Sequence, residues 1–393
     1  MPRPPTLSSS ARALRESIFS RLQGRLAKHG ADGVPLHLGD TYLQPPMAAR
    51  EALEANAADW RYGAPAGEAP LLAALARKLR DRNGLDWATE QHLQVTVGAT
   101  AALAAAARAL VDPGDEVLCP TPHWPLIRGI VTNAGGVAVE APLSQALYAD
   151  ASADAAAILE PHIGPRTAVL YVTTPNNPDG KQLGPRHLEQ LAELARRHDL
   201  WVLADEAYED LAWAEPHHSI AALPGMAERT LTVYSLSKSY AIAGHRLGYV
   251  VGAAAPMHAL RKIANHTVYN VPSLLQRAAL ALVTAPSSQA WLAETRALYR
   301  SLRDEASRLL PAPHHVPDGA TYLFADFSRW THGPESGGIW PLVEKLLDAG
   351  VSIAPGEQFG RDFATHARLC FTAVPVERLR VGLARLADVL SAA

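Results

Sequence analysis

The sequence predicts an α/β fold built on a parallel sheet, followed by a smaller α+β unit. Three observations predict it. Seven short apolar runs, several β-branched and nearly continuous, punctuate residues 93–252, as strands covered on both faces do. Helical windows lie between them, giving the strand–helix alternation of a parallel sheet. After about residue 310 the rhythm changes to strand, helix, strand, strand, helix.

The elements follow in order. Leu14, Ile18, Leu22 and Leu26 fall four apart with Arg12, Arg15, Arg21 and Arg25 interleaved, so an amphipathic helix is expected there. A basic, Ser-rich start admits a transit peptide. Glu16 interrupts the basic face, which favours a helix packed on the body or on a partner subunit, and the cytoplasm is the expected compartment. Residues 69–82 read as a helix, LQVTV (93–97) as a strand and 101–111 as an Ala-rich helix behind it. Further strands are expected at 116–120, 137–143, 167–173, 200–205, 230–235 and 247–252, with a helix over 186–198. Helices at 256–266 and 272–283 precede a long one over 287–310 that breaks at Pro311 and Pro313. TYLFADF, a helix over 338–348, VSIAP, ARLCFT and a helix over 376–391 complete the chain. These elements divide it into an N-terminal segment (1–45) packing with the small domain, a large domain (46–286) and a small C-terminal domain (287–393).

Composition narrows the function. With 48% apolar and 19% charged residues over 393 positions, the chain can bury a large core. A net charge of −3 argues against a nucleic-acid partner, which needs a basic face. No apolar run is long enough to span a bilayer. Cys119 and Cys370 are the only cysteines, so a disulfide framework and a Cys₄ zinc site are both excluded. The pairs His217-His218 and His314-His315 lie in Pro-flanked loops and read as surface histidines, so no metal is expected.

In a doubly wound sheet the ligand sits beyond the carboxyl ends of the strands, so the residues after each strand carry the chemistry. LQVTV is followed by Gly98-Ala99-Thr100 opening a helix, small residues that let a phosphate reach backbone N–H groups. EVLCP is followed by a loop holding Trp124, a flat surface. TAVLYVT leads to Pro175-Asn176-Asn177-Pro178-Asp179-Gly180, a run of turn residues. Asp205 ends an apolar strand, where a carboxylate is costly without a partner. Lys238 sits among small and apolar residues, beside Ser237 and Ser239, with Arg246 eight positions on. An amine there can trap an aldehyde as a Schiff base. Phosphate cradle, stacking surface, acid and amine together match one cofactor, pyridoxal 5′-phosphate. Glu206, next to the acid, reads as structural.

The segments S-L-S-K-x₇-R-x-G-Y, P-N-N-P-x-G, A-D-E-A-Y and R-Y-G-x-x-x-G together resemble the class I/II aminotransferases, of fold type I among the pyridoxal-phosphate enzymes. The resemblance runs from Leu38 to the end. It implies a large domain with a mostly parallel, seven-stranded sheet sandwiched by helices, plus a smaller α+β domain. By that resemblance Lys238 binds the cofactor and shuttles the proton, Asp205 faces the ring nitrogen, and Tyr208 and Asn177 face the ring oxygen. Trp124 stacks on the ring, while Ala99, Thr100, Ser235, Ser237 and Arg246 hold the phosphate. Tyr62 reaches the phosphate of the other subunit in a homodimer. Arg368, Gly39 and Asn177 receive the substrate α-carboxylate, and Tyr322 and Phe359 are candidate pocket walls.

The implied reaction is transfer of an amino group between an L-amino acid and a 2-oxo acid, by a ping-pong route through Lys238. A β/γ-eliminating lyase of the C–S type, or a specialised-metabolism enzyme of the same fold, shares the first steps. A DNA-binding regulator on this fold is disfavoured, because only a short helix precedes the matching region. Leu72, Thr174, Asp179 and His245 depart from the family's usual residues; these departures bear on the substrate and leave the cofactor contacts intact.

Overall fold

The computed structural model describes residues 5–14, 16–331 and 337–392. Two short helices, α1 (Ser9–Ala13) and α2 (Phe19–Leu26), and a two-residue strand β1 (Val34–Pro35) open the chain. Helices α3 (Met47–Ala55) and α4 (Ala69–Asn83) lead to β2 (Leu93–Val97), and α5 (Gly98–Leu110) follows without a gap. Next come β3 (Glu116–Thr121), α6 (Ile127–Ala134), β4 (Val137–Pro142), α7 (Ser144–Ala149), α8 (Ala155–Leu159), β5 (Thr167–Thr173) and α9 (Pro185–Arg197). Then β6 (Trp201–Asp205), β7 (Thr230–Ser235), α10 (Leu236–Ser239) and β8 (Leu247–Gly252) complete the sheet strands. Helices α11 (Ala254–Thr267), α12 (Ser273–Thr284) and α13 (Pro286–Leu309) precede β9 (Tyr322–Asp326) and α14 (Trp340–Asp348). Strands β10 (Val351–Ser352), β11 (Ala354–Pro355) and β12 (His366–Cys370) lead to α15 (Val376–Ser391).

The central sheet has seven strands in the order β2-β8-β7-β6-β5-β3-β4. Only β8 runs antiparallel to its neighbours, so the sheet is mostly parallel, as the sequence implies. Alternation along each strand divides its side chains between two cores. Leu118, Leu170, Val172, Val202 and Ala204 pack with α7, α8 and α9 on one face. Val117, Cys119, Val169, Tyr171 and Leu203 pack with α5, α6 and α11 on the other. The order of strands reverses between β3 and β5, and that switch point opens a crevice at their carboxyl ends. A separate core joins Leu22, Leu26, Val34 and Leu36 to residues of α13, β9, α14, β12 and α15.

Three expectations need correction. The single N-terminal helix is two, because the chain leaves α1 at Leu14 with extended torsions (φ −70, ψ 135) and re-enters helix at Phe19. Leu22 and Leu26 are buried as their spacing implies, whereas Leu14 is 42% exposed; Arg15 lies outside the described residues. VSIAP is not one strand, since Val351–Ser352 pairs with β1 and Ala354–Pro355 with β12. Ile353, between them, belongs to neither ladder. His217 is not a surface group: its side chain is 7% exposed and its Nε2 lies 2.8 Å from Glu206 Oε2.

Candidate active site

One cavity of about 300 Å³ opens at the switch point. The β6 strand delivers Asp205 to it. Asp205 shares the strand face of Leu203, one residue-pair further on, which turns the carboxylate toward α5 rather than toward α9. It lies in register with Thr173 of β5 and Val233 of β7. Tyr171 Oη donates to Asp205 Oδ2 at 2.9 Å and the Ala207 N–H donates to Oδ1 at 3.2 Å. Burial pushes this carboxyl up to about 6 in spite of those two donors, and the charge of Glu206 adds to the rise. Among the described residues it has no basic partner. Glu206 faces away, accepting from Ser219 Oγ at 2.6 Å and meeting His217, which makes it structural, as read from the sequence.

Lys238 stands on α10 directly after β7. Its Nζ donates to the carbonyl of Gly39, tying the large sheet to the segment that follows β1. Ser235 caps α10 by accepting the Ser237 N–H at 3.2 Å. Arg246 sits in the left-handed region (φ 55) with Nη1 donating to the Ala243 carbonyl at 2.9 Å. Its guanidinium lies against Gly98, the first residue of α5 with φ 74, so closely that a Cβ there would overlap it. Ala99 and Thr100 line the cavity beside these groups, and Trp124, from the loop after β3, lines it too.

The opposite end is built by β12 and the turn after β5. Arg368 is 3% exposed. Its Nη1 donates to Asn177 Oδ1 at 2.9 Å and its Nη2 to the His37 carbonyl at 2.8 Å, while Nε–H has no partner among the described residues. Asn177 is held by its turn: Asn176 Nδ2 donates to the Pro122 carbonyl and to Asp179 Oδ1, both at 2.8 Å. Asp179 is therefore part of the turn's scaffold, and burial pushes its carboxyl up to about 6. Tyr208 and Tyr322 hydroxyls meet at 2.5 Å, and a Cβ at Gly39 would collide with the Tyr322 hydroxyl. His37, buried behind Arg368, is pushed down to about 4 by burial and by that guanidinium.

The cavity therefore collects Gly39, Ala99, Thr100, Trp124, Asn177, Asp205, Tyr208, Ser235, Ser237, Lys238, Arg246, Arg368 and Tyr322. Two named residues lie elsewhere. Tyr62 is 84% exposed on the outer surface, edge-on to Tyr269. Phe359 is fully buried behind the wall, its ring centre 5.1 Å from Arg368 Cζ. Sequence reasoning missed Ser17, Phe19, Leu38, Pro125 and Leu126, which also line the cavity. Ser17, Phe19 and Leu38 belong to the N-terminal segment ahead of the central sheet, where the strand-end rule does not look, whereas Pro125 and Leu126 share the loop after β3 with Trp124 and carry no polar or stacking group to single them out.

A cavity at the switch point of a mostly parallel sheet, with a lysine, a buried acid and two arginines on its wall, defines an α/β protein with a small-molecule site beyond the carboxyl ends of its strands. The comparisons give the family. The profile of the "Aminotransferase class I and II" family matches residues 31–386. The aspartate/prephenate aminotransferase of Thermus thermophilus is 34% identical, over 98% of this chain and 99% of its own. The arginine–pyruvate transaminase of Pseudomonas aeruginosa is also 34% identical, over 92% of this chain and 90% of its own. The structure of Thermus thermophilus aspartate aminotransferase with maleate matches with a TM-score of 0.90 at 32% identity, covering 98% of this chain and all of that one. The chain belongs to the class I and II aminotransferases, a family of pyridoxal-phosphate enzymes, and is an enzyme of the transaminase type. These relatives do not favour the elimination reading. No described helix is long and apolar enough to cross a membrane.

Proposed function

We propose that the protein transfers an amino group between an L-amino acid and a 2-oxo acid in two half-reactions, with pyridoxal 5′-phosphate held in this cavity through Lys238. The observation that carries the reading is a buried carboxylate without a cation, Asp205, in the same cavity as an amine, Lys238, and a partly unpaired guanidinium, Arg368. The residues fit the cofactor. A protonated ring nitrogen is the cation that Asp205 lacks. Thr100, Ser235 and Ser237 hydroxyls with the Arg246 guanidinium suit a phosphate dianion at the start of α5. The absence of a Cβ at Gly98 leaves the backbone open to it. Tyr208 and Asn177 are donors for the ring oxygen, and Trp124 is the stacking surface.

When bound, the cofactor supplies an aldehyde that captures amines and a ring that takes up the electron pair left at the substrate α-carbon. The chain supplies the rest. Asp205 keeps the ring nitrogen protonated. Lys238 Nζ removes the proton from the substrate Cα. Arg368, with Asn177 beside it, receives the α-carboxylate in a fixed orientation. That clamp sets the Cα–H bond, rather than the bond to the carboxylate, in line for cleavage, which favours amino transfer over decarboxylation. The second half-reaction uses the same groups in reverse, with a 2-oxo acid clamped by Arg368. A partner copy of the chain supplies Tyr62 to the phosphate.

Borohydride reduction of the holoenzyme followed by peptide mapping tests the assignment. The pyridoxyl tag is expected on Lys238, and Lys238→Ala is expected to lose both the tag and turnover. A tag on another residue, or transamination at the normal rate by Lys238→Ala, overturns it.

A further inference from the structure

With Lys238 and Arg246 engaged by the cofactor and Arg368 by the α-carboxylate, a premise that rests on the function proposed above, the remaining wall decides which amino acid fits. Beyond the groups assigned to the cofactor and the α-carboxylate, that wall is mostly apolar among the described residues, with the Ser17 and Thr173 hydroxyls among its polar groups and no charged side chain. Phe19, Leu38, Pro125, Leu126 and Tyr322 contribute to it. Two observations connect it to the carboxylate clamp. Arg368 Cζ lies 4.3 Å from the centre of the Tyr322 ring and 5.9 Å from that of Phe19, so a substrate held by Arg368 starts its side chain beside two aromatic faces. Leu126 lines the cavity and yet is 47% exposed, an apolar surface that a bound apolar group would take out of water.

We propose that the amino donor is an α-amino acid with a neutral, apolar side chain, aromatic or branched aliphatic, and that Phe19 and Leu126 are specificity-determining residues. Phe19 arrives on the first turn of α2 and Leu126 on the residue before α6. Helix α1 rests against α6, with Leu14 packed over Gly129. Phe19 and Leu126 stand on the same cavity wall. A second carboxylate carried to that wall exchanges water for phenyl and isobutyl groups, which is unfavourable for a charge. A phenyl or isobutyl side chain is favoured there for the opposite reason.

The test is a half-reaction on the holoenzyme, followed by the cofactor's absorbance, with phenylalanine, leucine, methionine, alanine, aspartate and glutamate. Apolar donors are expected to exceed aspartate by about 100-fold or more in kcat/KM, as for a site that leaves a charged group unpaired. Phe19→Ala is expected to lower kcat/KM for phenylalanine and leucine by about 10- to 100-fold, and to lower it far less for alanine, whose methyl group is short. A merely structural role for Phe19 depresses all donors alike. Leu126→Arg is expected to shift preference toward aspartate. Binding provides a separate readout: 3-phenylpropionate is expected to bind the holoenzyme more tightly than succinate, measured by fluorescence titration. Preference for aspartate and succinate, or an equal loss for alanine and phenylalanine in Phe19→Ala, overturns the proposal. With the pyridoxyl tag on Lys238, such a result removes the substrate class alone. With the tag elsewhere, the cofactor assignment falls and this proposal falls with it.

Discussion

Asp205 ends a buried strand with a tyrosine hydroxyl and a backbone N–H as its donors and no described cation opposite. Burial lifts its carboxyl from 3.8 to about 6, and that shift has a direction in stability. In the cofactor-free protein the native state keeps a proton between about pH 4 and pH 6 that the unfolded chain has released. The contribution of this group therefore falls as pH rises across that window and stays at its minimum above it. The full effect is about 3 kcal/mol, from a shift of roughly two units. In the proposed holoenzyme a ring nitrogen carrying a proton would hold Asp205 ionised and remove the slope. Urea unfolding at pH 5 and pH 7 is expected to show this extra stability at pH 5 in the cofactor-free wild type and not in Asp205→Asn. Identical pH slopes for the two proteins would show that Asp205 does not carry this burial penalty.

At the scale of elements, strands were the most legible part of the sequence and their partners in space the least. TAVLYVT, TLTVYS and LGYVVG match β5, β7 and β8 residue for residue, because strands buried on both faces leave unbroken apolar runs. Lys238, Asp205, Asn177 and Trp124 were readable because each follows such a strand. Phe19 was not, since its position depends on how the N-terminal segment packs, a choice without a periodic signal, and Leu126 follows β3 in the loop of Trp124 but offers no chemistry that marks it. The N-terminal segment also explains the broken helix: four-residue spacing from Leu14 to Leu26 satisfies one helix, and tertiary contacts override it. Helix α5 begins at Gly98, three residues before the Ala-rich window, and its first turn is the proposed phosphate seat. That turn carries a prediction. Gly98 combines φ 74 with contact against the Arg246 guanidinium. Gly98→Ala is expected to cost about 1–2 kcal/mol of stability from the left-handed backbone alone. It also displaces Arg246, so affinity for pyridoxal phosphate should fall with it. Cofactor titration together with a thermal melt checks both; wild-type affinity in this variant would mean that the α5 turn is not the phosphate seat.

At the scale of the whole molecule, the described residues leave large aromatic groups exposed to water. Trp60 is 89% exposed and Tyr62 84% exposed, and Tyr62 meets the half-exposed Tyr269 edge-on with ring centres 5.4 Å apart. Large exposed aromatic groups of this kind are what the proposed homodimer would take out of water. Tyr62 is outside the cavity of its own chain, so its proposed contact with phosphate requires a second copy arranged by a two-fold axis. Sedimentation of the holoenzyme is expected to give a dimer. Complementation makes the argument sharper. Lys238→Ala lacks the amine in its own cavity, and Tyr62→Ala lacks the group it lends to the other. In a mixed dimer one cavity carries both defects and the other carries neither. Random exchange of subunits between these two proteins therefore restores about a quarter of the cavities, measured as transamination at limiting cofactor after co-refolding. If Tyr62 served its own chain, every cavity in the mixture would keep one defect and no activity would return.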